Sequence, residues 1–175
     1  MKKFKGIVSL LLVVAMAFTL MGCGVKEIDS KDFKSLIKDT LDCDKEDLDE
    51  SDGYVDYEET YIRYVGEDSS KYDIEYTEYE DEEAAKYQFD SIVNSLEFIK
   101  KHDGVDGKLK IASNYVTADA EMTYGYDGDG VDFYGGYYLA KNIIIEVSTG
   151  TGKDKDKDTI DDVIKALGYP KPGRA

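Results

Sequence analysis

The sequence predicts an α+β domain, an antiparallel sheet with helices on one face, in the order α-β-β-α-β-β-β-α. Two observations lead there. The hydrophobic period switches between 3.6 and 2 along the chain, and the strand-like stretches come in consecutive runs instead of alternating with helices. A third sets the size: a 22-residue leader taken from 175 residues leaves 153, enough for one domain with a workable core.

Each element follows from its pattern. Phe33, Leu36, Ile37 and Leu41 fall on one helical face, with Asp29 or Ser30 suited to the N-cap, so a first helix is expected over about 31–42. The stretch "CDKEDLDESDGYVD" has no period and many carboxylates, and reads as a solvated connection. Two strands follow near 57–65 and 71–78, turned by "GEDSSK"; in the second, Tyr72, Ile74 and Tyr76 alternate with Asp73, Glu75 and Thr77. From Asp81 to Lys101 the period is helical again, with Ala85, Phe89, Ile92, Val93, Leu96 and Ile99 on one stripe. Acids lead this segment and Lys100 and Lys101 close it, an order that complements the helix dipole. Strands are expected near 108–112 and 115–125, the latter with Val116, Ala118, Ala120, Met122 and Tyr124 on its buried side. "FYGGYYLAKNIIIEVS" reads as a tight hairpin around Lys141 and Asn142. A last helix is expected with Thr159 as its cap and Gly168 as its stop.

The first 22 residues are a targeting segment. Lys2, Lys3 and Lys5 precede an apolar run from Ile7 to Met21 that is too short for the ~20-residue span of a membrane helix. Leu20, Gly22 and Cys23 end it. These residues resemble the lipobox of bacterial lipoproteins, with Met21 departing from the small residue usual at that place. The resemblance implies cleavage before Cys23, a diacylglyceryl group on its sulfur, and a cell-membrane address on the extracytoplasmic face. With the tyrosine-rich acidic body and the closing "LGY", the chain looks like the small surface lipoproteins of Gram-positive bacteria. The expected organisation is a signal peptide over 1–22, the lipidated cysteine and a short tether over 23–30, one acidic domain over 31–169, and a tail over 170–175.

With Cys23 acylated, Cys43 has no partner for an intramolecular disulfide, and its carboxylate neighbours disfavour a thiolate. It reads as a small filler residue. Losing the three leader lysines from 22 basic side chains leaves 19 against 38 acids, a net charge of −19. Such a balance argues against nucleic acid and against direct adsorption to anionic lipid. On this reading the domain stands off the surface on its tether.

Candidate sites are few. Asp127, Asp129 and Asp132 in "DGDGVD" look like part of a calcium loop, but the EF-hand template fails where Asp132 and Tyr138 stand, so a turn is expected and no metal. His102, the one histidine, sits at the end of the second helix and reads as a cap. In "FYGGYY", two glycines inside a strand mark a bulge or a close approach of another backbone or ligand. Tyr134, Gly135, Gly136, Tyr137 and Tyr138 are therefore the candidate ligand-binding shelf. No cofactor, catalytic residue or metal ligand is singled out. The expected function is non-enzymatic: a membrane-anchored module for an extracytoplasmic protein or small polar ligand. The alternative is a hydrolase of extracytoplasmic glycan, which requires two carboxyls about 5–9.5 Å apart in a pocket.

Overall fold

The computed structural model describes residues 24–53, 57–123 and 130–174. Among the described residues three α-helices, α1 (Ser30–Leu41), α2 (Glu82–Lys101) and α3 (Asp154–Leu167), accompany seven strands. The strands are β1 (Leu48–Ser51), β2 (Glu58–Tyr64), β3 (Tyr72–Tyr79), β4 (Val105–Ile111), β5 (Tyr115–Met122), β6 (Val131–Ala140) and β7 (Ile143–Thr149). All pair antiparallel in one sheet of order β1-β2-β3-β7-β6-β5-β4, and the α+β class stands. Among the described residues no helix is long and apolar enough to cross a membrane.

Helix ends follow local chemistry. Asp29 accepts from the Asp32 N–H at 2.8 Å and Asp81 from the Ala84 N–H at 2.8 Å, each satisfying a donor the first turn leaves free. Gly168 ends α3 at φ 73°, the left-handed conformation in which a side chain is strained. His102 stands at the end of α2, where its backbone N–H, in place of the expected side-chain cap, donates to the Phe98 and Ile99 carbonyls and its ring lies 4.4 Å from that of Phe98.

The helices lie on both faces of the sheet, not on one as expected. Phe33 and Ile37 of α1, with Ile160, Val163, Ile164 and Leu167 of α3, pack over Ile62, Ile74, Tyr76, Tyr138, Ile145 and Val147. Ala85, Phe89, Leu96 and Ile99 of α2 pack on the other side with Val116, Ala118, Met122 and Ile144. The reason is visible in β7: "III" is apolar on successive residues, so both faces of this central strand need cover. Each large apolar side chain fully buried in this way is worth about 1.5–3 kcal/mol, and two layers of them hold the domain without a disulfide.

Each run also holds one more strand than the expected order. β1 forms within the stretch read as a solvated connection, because Leu48 is buried and the strand pairs with β2 from Leu48 opposite Tyr64 to Ser51 opposite Tyr61. Its exposed Asp49 and Glu50 put charge on a short edge strand, which blocks further pairing. The last run gains its fourth strand because the Lys141–Asn142 hairpin joins two full strands. α3 starts at Asp154, ahead of Thr159, whose hydroxyl donates to the Lys155 carbonyl at 3.2 Å from inside the helix. Asp156 is buried and accepts from Thr151 Oγ1 at 2.6 Å and Tyr72 Oη at 3.0 Å, so the first turn is fastened to the sheet.

Both ends of the described residues are held against the domain. Val25 and Ile28 pack against the α1/α3 core, the Tyr169 hydroxyl donates to the Lys26 carbonyl at 2.6 Å, and Lys141 pairs with Glu27 at 2.5 Å. The stretch expected as a tether is thus part of the domain. At the other end Tyr138 Oη donates to the Pro170 carbonyl at 2.9 Å, Pro172 is buried, and Arg174 pairs with Asp158 and Asp161.

Candidate functional site

The sequence-predicted shelf is not a surface. In β6 the side chains alternate, so Tyr134 and Tyr138 point into the α1/α3 layer while Tyr137 points to the α2 side. Tyr134 and Tyr138 are fully buried. The Tyr134 hydroxyl donates to Asp161 at 2.7 Å, and its ring lies 5.2 Å from Lys157 Nζ and 5.8 Å from Arg174 Cζ. Burial pushes its pKa up to about 12 and carries that of Tyr138 well above the ordinary phenol range. Tyr137 stacks on Phe133 with ring centroids 5.9 Å apart.

The glycines explain themselves without a ligand. Pairing runs unbroken from Tyr134 through Tyr138 on both sides of β6, so there is no bulge. Gly135 has φ 147°, and a Cβ there would lie 2.1 Å from the Val147 carbonyl oxygen; one on Gly136 would lie 2.4 Å from the Val116 carbonyl oxygen. The close backbones are those of the neighbouring strands β7 and β5.

Other singled-out residues have plain positions. Cys43 is a free, half-buried thiol whose pKa is raised by burial, then by Asp47. Cys23, Asp127 and Asp129 lie outside the described residues, and Asp132 is exposed on β6. Among the described residues no group of three or more metal-ligating side chains converges.

A carboxylate row crosses the α2 side of the sheet. Arg63, Glu75, Glu146 and Tyr137 are successive register partners on β2, β3, β7 and β6. Arg63 reaches Glu75 at 3.3 Å and Asp73 at 3.6 Å, while the Ser148 hydroxyl donates to Glu146 at 3.0 Å. Burial, with Glu75 and Asp73 adding repulsion, raises the Glu146 pKa from 4.5 to about 7. The native state therefore holds a proton that the unfolded chain releases between pH 4.5 and 7, and stability falls as pH rises through that window. Glu146→Gln is expected to stabilise the domain at pH 8 by about 1–3 kcal/mol and to change it little at pH 4, read from urea midpoints at the two pH values. Equal effects at both would show that Glu146 ionises normally.

One of several open clefts lies where the start of α2 meets the start of β2. It measures about 510 Å³, and Tyr57 and Tyr87 line it together with Glu80, Asp81 and Glu83. Both rings stand in solvent, Tyr57 60% and Tyr87 72% exposed. Tyr57 is held there at φ 83°, unusual for a bulky side chain, while its carbonyl accepts from the Glu80 N–H at 2.8 Å. Beyond Tyr87 a second cleft, of about 600 Å³, follows the outer side of α2 over Ser91, Asn94 and Ser95 to Phe98, which is 64% exposed. Two exposed aromatic rings and three carboxylates on one cleft suit a cation. The sequence reading missed this place, although a signal was available: Tyr87 and Phe98 are aromatic side chains off the apolar stripe of α2, where a polar residue is the rule. No protein-family model matches the chain, and neither the curated proteins nor the solved structures yield a match.

Proposed function

We propose that this protein is a lipid-anchored extracytoplasmic binding module, without catalytic activity, that receives a cationic group between Tyr57 and Tyr87. The supporting observation is that two highly exposed tyrosines line one cleft together with three carboxylate residues. The anchor rests on Leu20, Gly22 and Cys23. Each exposed ring contributes about 0.5–1 kcal/mol to a bound cation, and each exposed carboxylate about 0.2–1 kcal/mol. One cationic side chain therefore binds in roughly the millimolar range, and useful affinity requires several on one partner.

Titration of the mature chain with a hexalysine peptide tests this. Tyr57→Ala and Tyr87→Ala are each expected to weaken binding by about two- to fivefold, with the circular dichroism unchanged. Binding that both variants retain in full, or that the parent lacks, refutes the cleft. A second reading, carboxylate-based hydrolysis of extracytoplasmic glycan, draws on Glu146 and Glu75, register partners on β7 and β3, the first raised to a pKa of about 7 by burial and the second paired with Arg63. Release of reducing ends from cell-wall glycan by the parent, lost in Glu146→Gln, would favour it over the first.

A further inference from the structure

From the docked residues 24–29 we infer that the lipid anchor fixes the orientation of the domain, setting one end of the sheet flat against the bilayer. This rests on the anchoring proposed above. Between an acylated Cys23 and Val25, the first residue packed into the core, only Gly24 intervenes, which allows about 7 Å of reach. Beyond it the strap is held at four successive points: Val25 and Ile28 by packing, Lys26 through Tyr169, and Glu27 through Lys141. A seven-residue free tether would let the domain tumble and stand off. This strap does not.

The same contacts identify the end that meets the headgroups. Lys141, which pairs with Glu27, is at the tip of the β6–β7 hairpin. The neighbouring Asn142 accepts from the Tyr79 N–H at 2.8 Å and donates from Nδ2 to the Tyr79 carbonyl at 2.9 Å. Glu80 and Asp81 of the aromatic cleft follow directly. Strap, hairpin tip and cleft therefore share one end of the sheet. The turn at Ser69–Lys71 and the start of α3 lie at the other, a β7 length away, which for seven residues is about 20 Å. The bilayer is the occupant of the first end, and the cationic group that enters the cleft is one presented at the membrane surface. Net negative charge opposes the approach to anionic lipid, but the covalent anchor and docked strap impose it.

The test uses the full, lipid-bearing protein extracted from a bacterial host and placed in phosphatidylcholine/phosphatidylglycerol vesicles that carry a short-range headgroup quencher. In a Cys43→Ser background a dye is attached at Glu82→Cys, on the cleft end, or at Ser70→Cys, on the far end; both positions are exposed. Quenching at 82 is expected to exceed that at 70 several-fold. Val25→Ser with Ile28→Ser, which frees the strap, is expected to bring the two signals together while the protein stays on the vesicles. Equal quenching at both positions in the otherwise unchanged protein, or stronger quenching at 70, overturns the fixed orientation and leaves the anchor standing. A protein that does not stay on the vesicles overturns the anchor, and the orientation with it.

Discussion

Cys23→Ser is expected to move the protein wholly from the membrane to the soluble fraction while its thermal unfolding stays unchanged. The reason is the arithmetic of acyl chains. Each buried methylene contributes about 0.8 kcal/mol, so one chain holds marginally and two hold stably; without the sulfur there are none. Folding is expected to survive because the contacts that dock the strap begin at Val25, and none of them uses the lipid. Fractionation in high salt is the measurement. A Cys23→Ser protein that still pellets and resists salt means that the apolar run from Ile7 to Met21 is an uncleaved anchor.

Gly135→Val is expected to be the most damaging single change in the sheet. At φ 147° an L side chain is strained by about 1–3 kcal/mol before any contact is considered. Its Cβ would also lie 2.1 Å from the Val147 carbonyl oxygen and 2.5 Å from Ser148 Cα, backbone atoms in the middle of the sheet. Relief requires β6 and β7 to part, so a loss of at least about 3 kcal/mol is expected, a large share of the stability of a domain this size. Gly136→Val should follow in the same direction by about 1 kcal/mol or more, since its Cβ meets the Val116 carbonyl oxygen at 2.4 Å. Gly24→Ala, with nothing within 4 Å, is the control and should stay within about 0.5 kcal/mol of the parent. Urea midpoints rank the three, and a Gly135→Val protein as stable as Gly24→Ala would mean that β6 tolerates a side chain there.

These contrasts show what the sequence could and could not disclose. α2 was legible because its stripe, its leading acids and its closing lysines are all local. The alternation in β5 correctly put Val116, Ala118 and Met122 inside, yet Thr117 and Asp119 are buried as well. For Asp119 the partner comes from distant chain: Lys157, at the start of α3, pairs with it at 2.5 Å. β1 stayed hidden because its only apolar residue is Leu48 among carboxylates, and pairing with β2 decides its state. The strap was missed for the same reason. "GVKEIDS" offers only Val25 and Ile28, and a contact that fixes it, to Tyr169, comes from 143 residues further along.

The site was less legible than the fold. Tyrosine and glycine in "FYGGYY" were the conspicuous feature, but conspicuous composition there serves close strand packing and a second layer of core. Tyr57 and Tyr87 look ordinary in sequence. Their meaning comes from exposure, which tertiary structure alone determines: the β2–β3 pairing brings Tyr57 beside Glu80, and α2 turns Tyr87 outward.

The proposed anchor and the proposed orientation both depend on acylation of Cys23. Mass spectrometry of the N-terminal peptide of the protein isolated from membranes tests this directly. The expected peptide begins at Cys23 and carries the added mass of a diacylglyceryl group. A peptide that begins elsewhere with Cys23 as a free thiol, or that retains the leader from Met1, contradicts it.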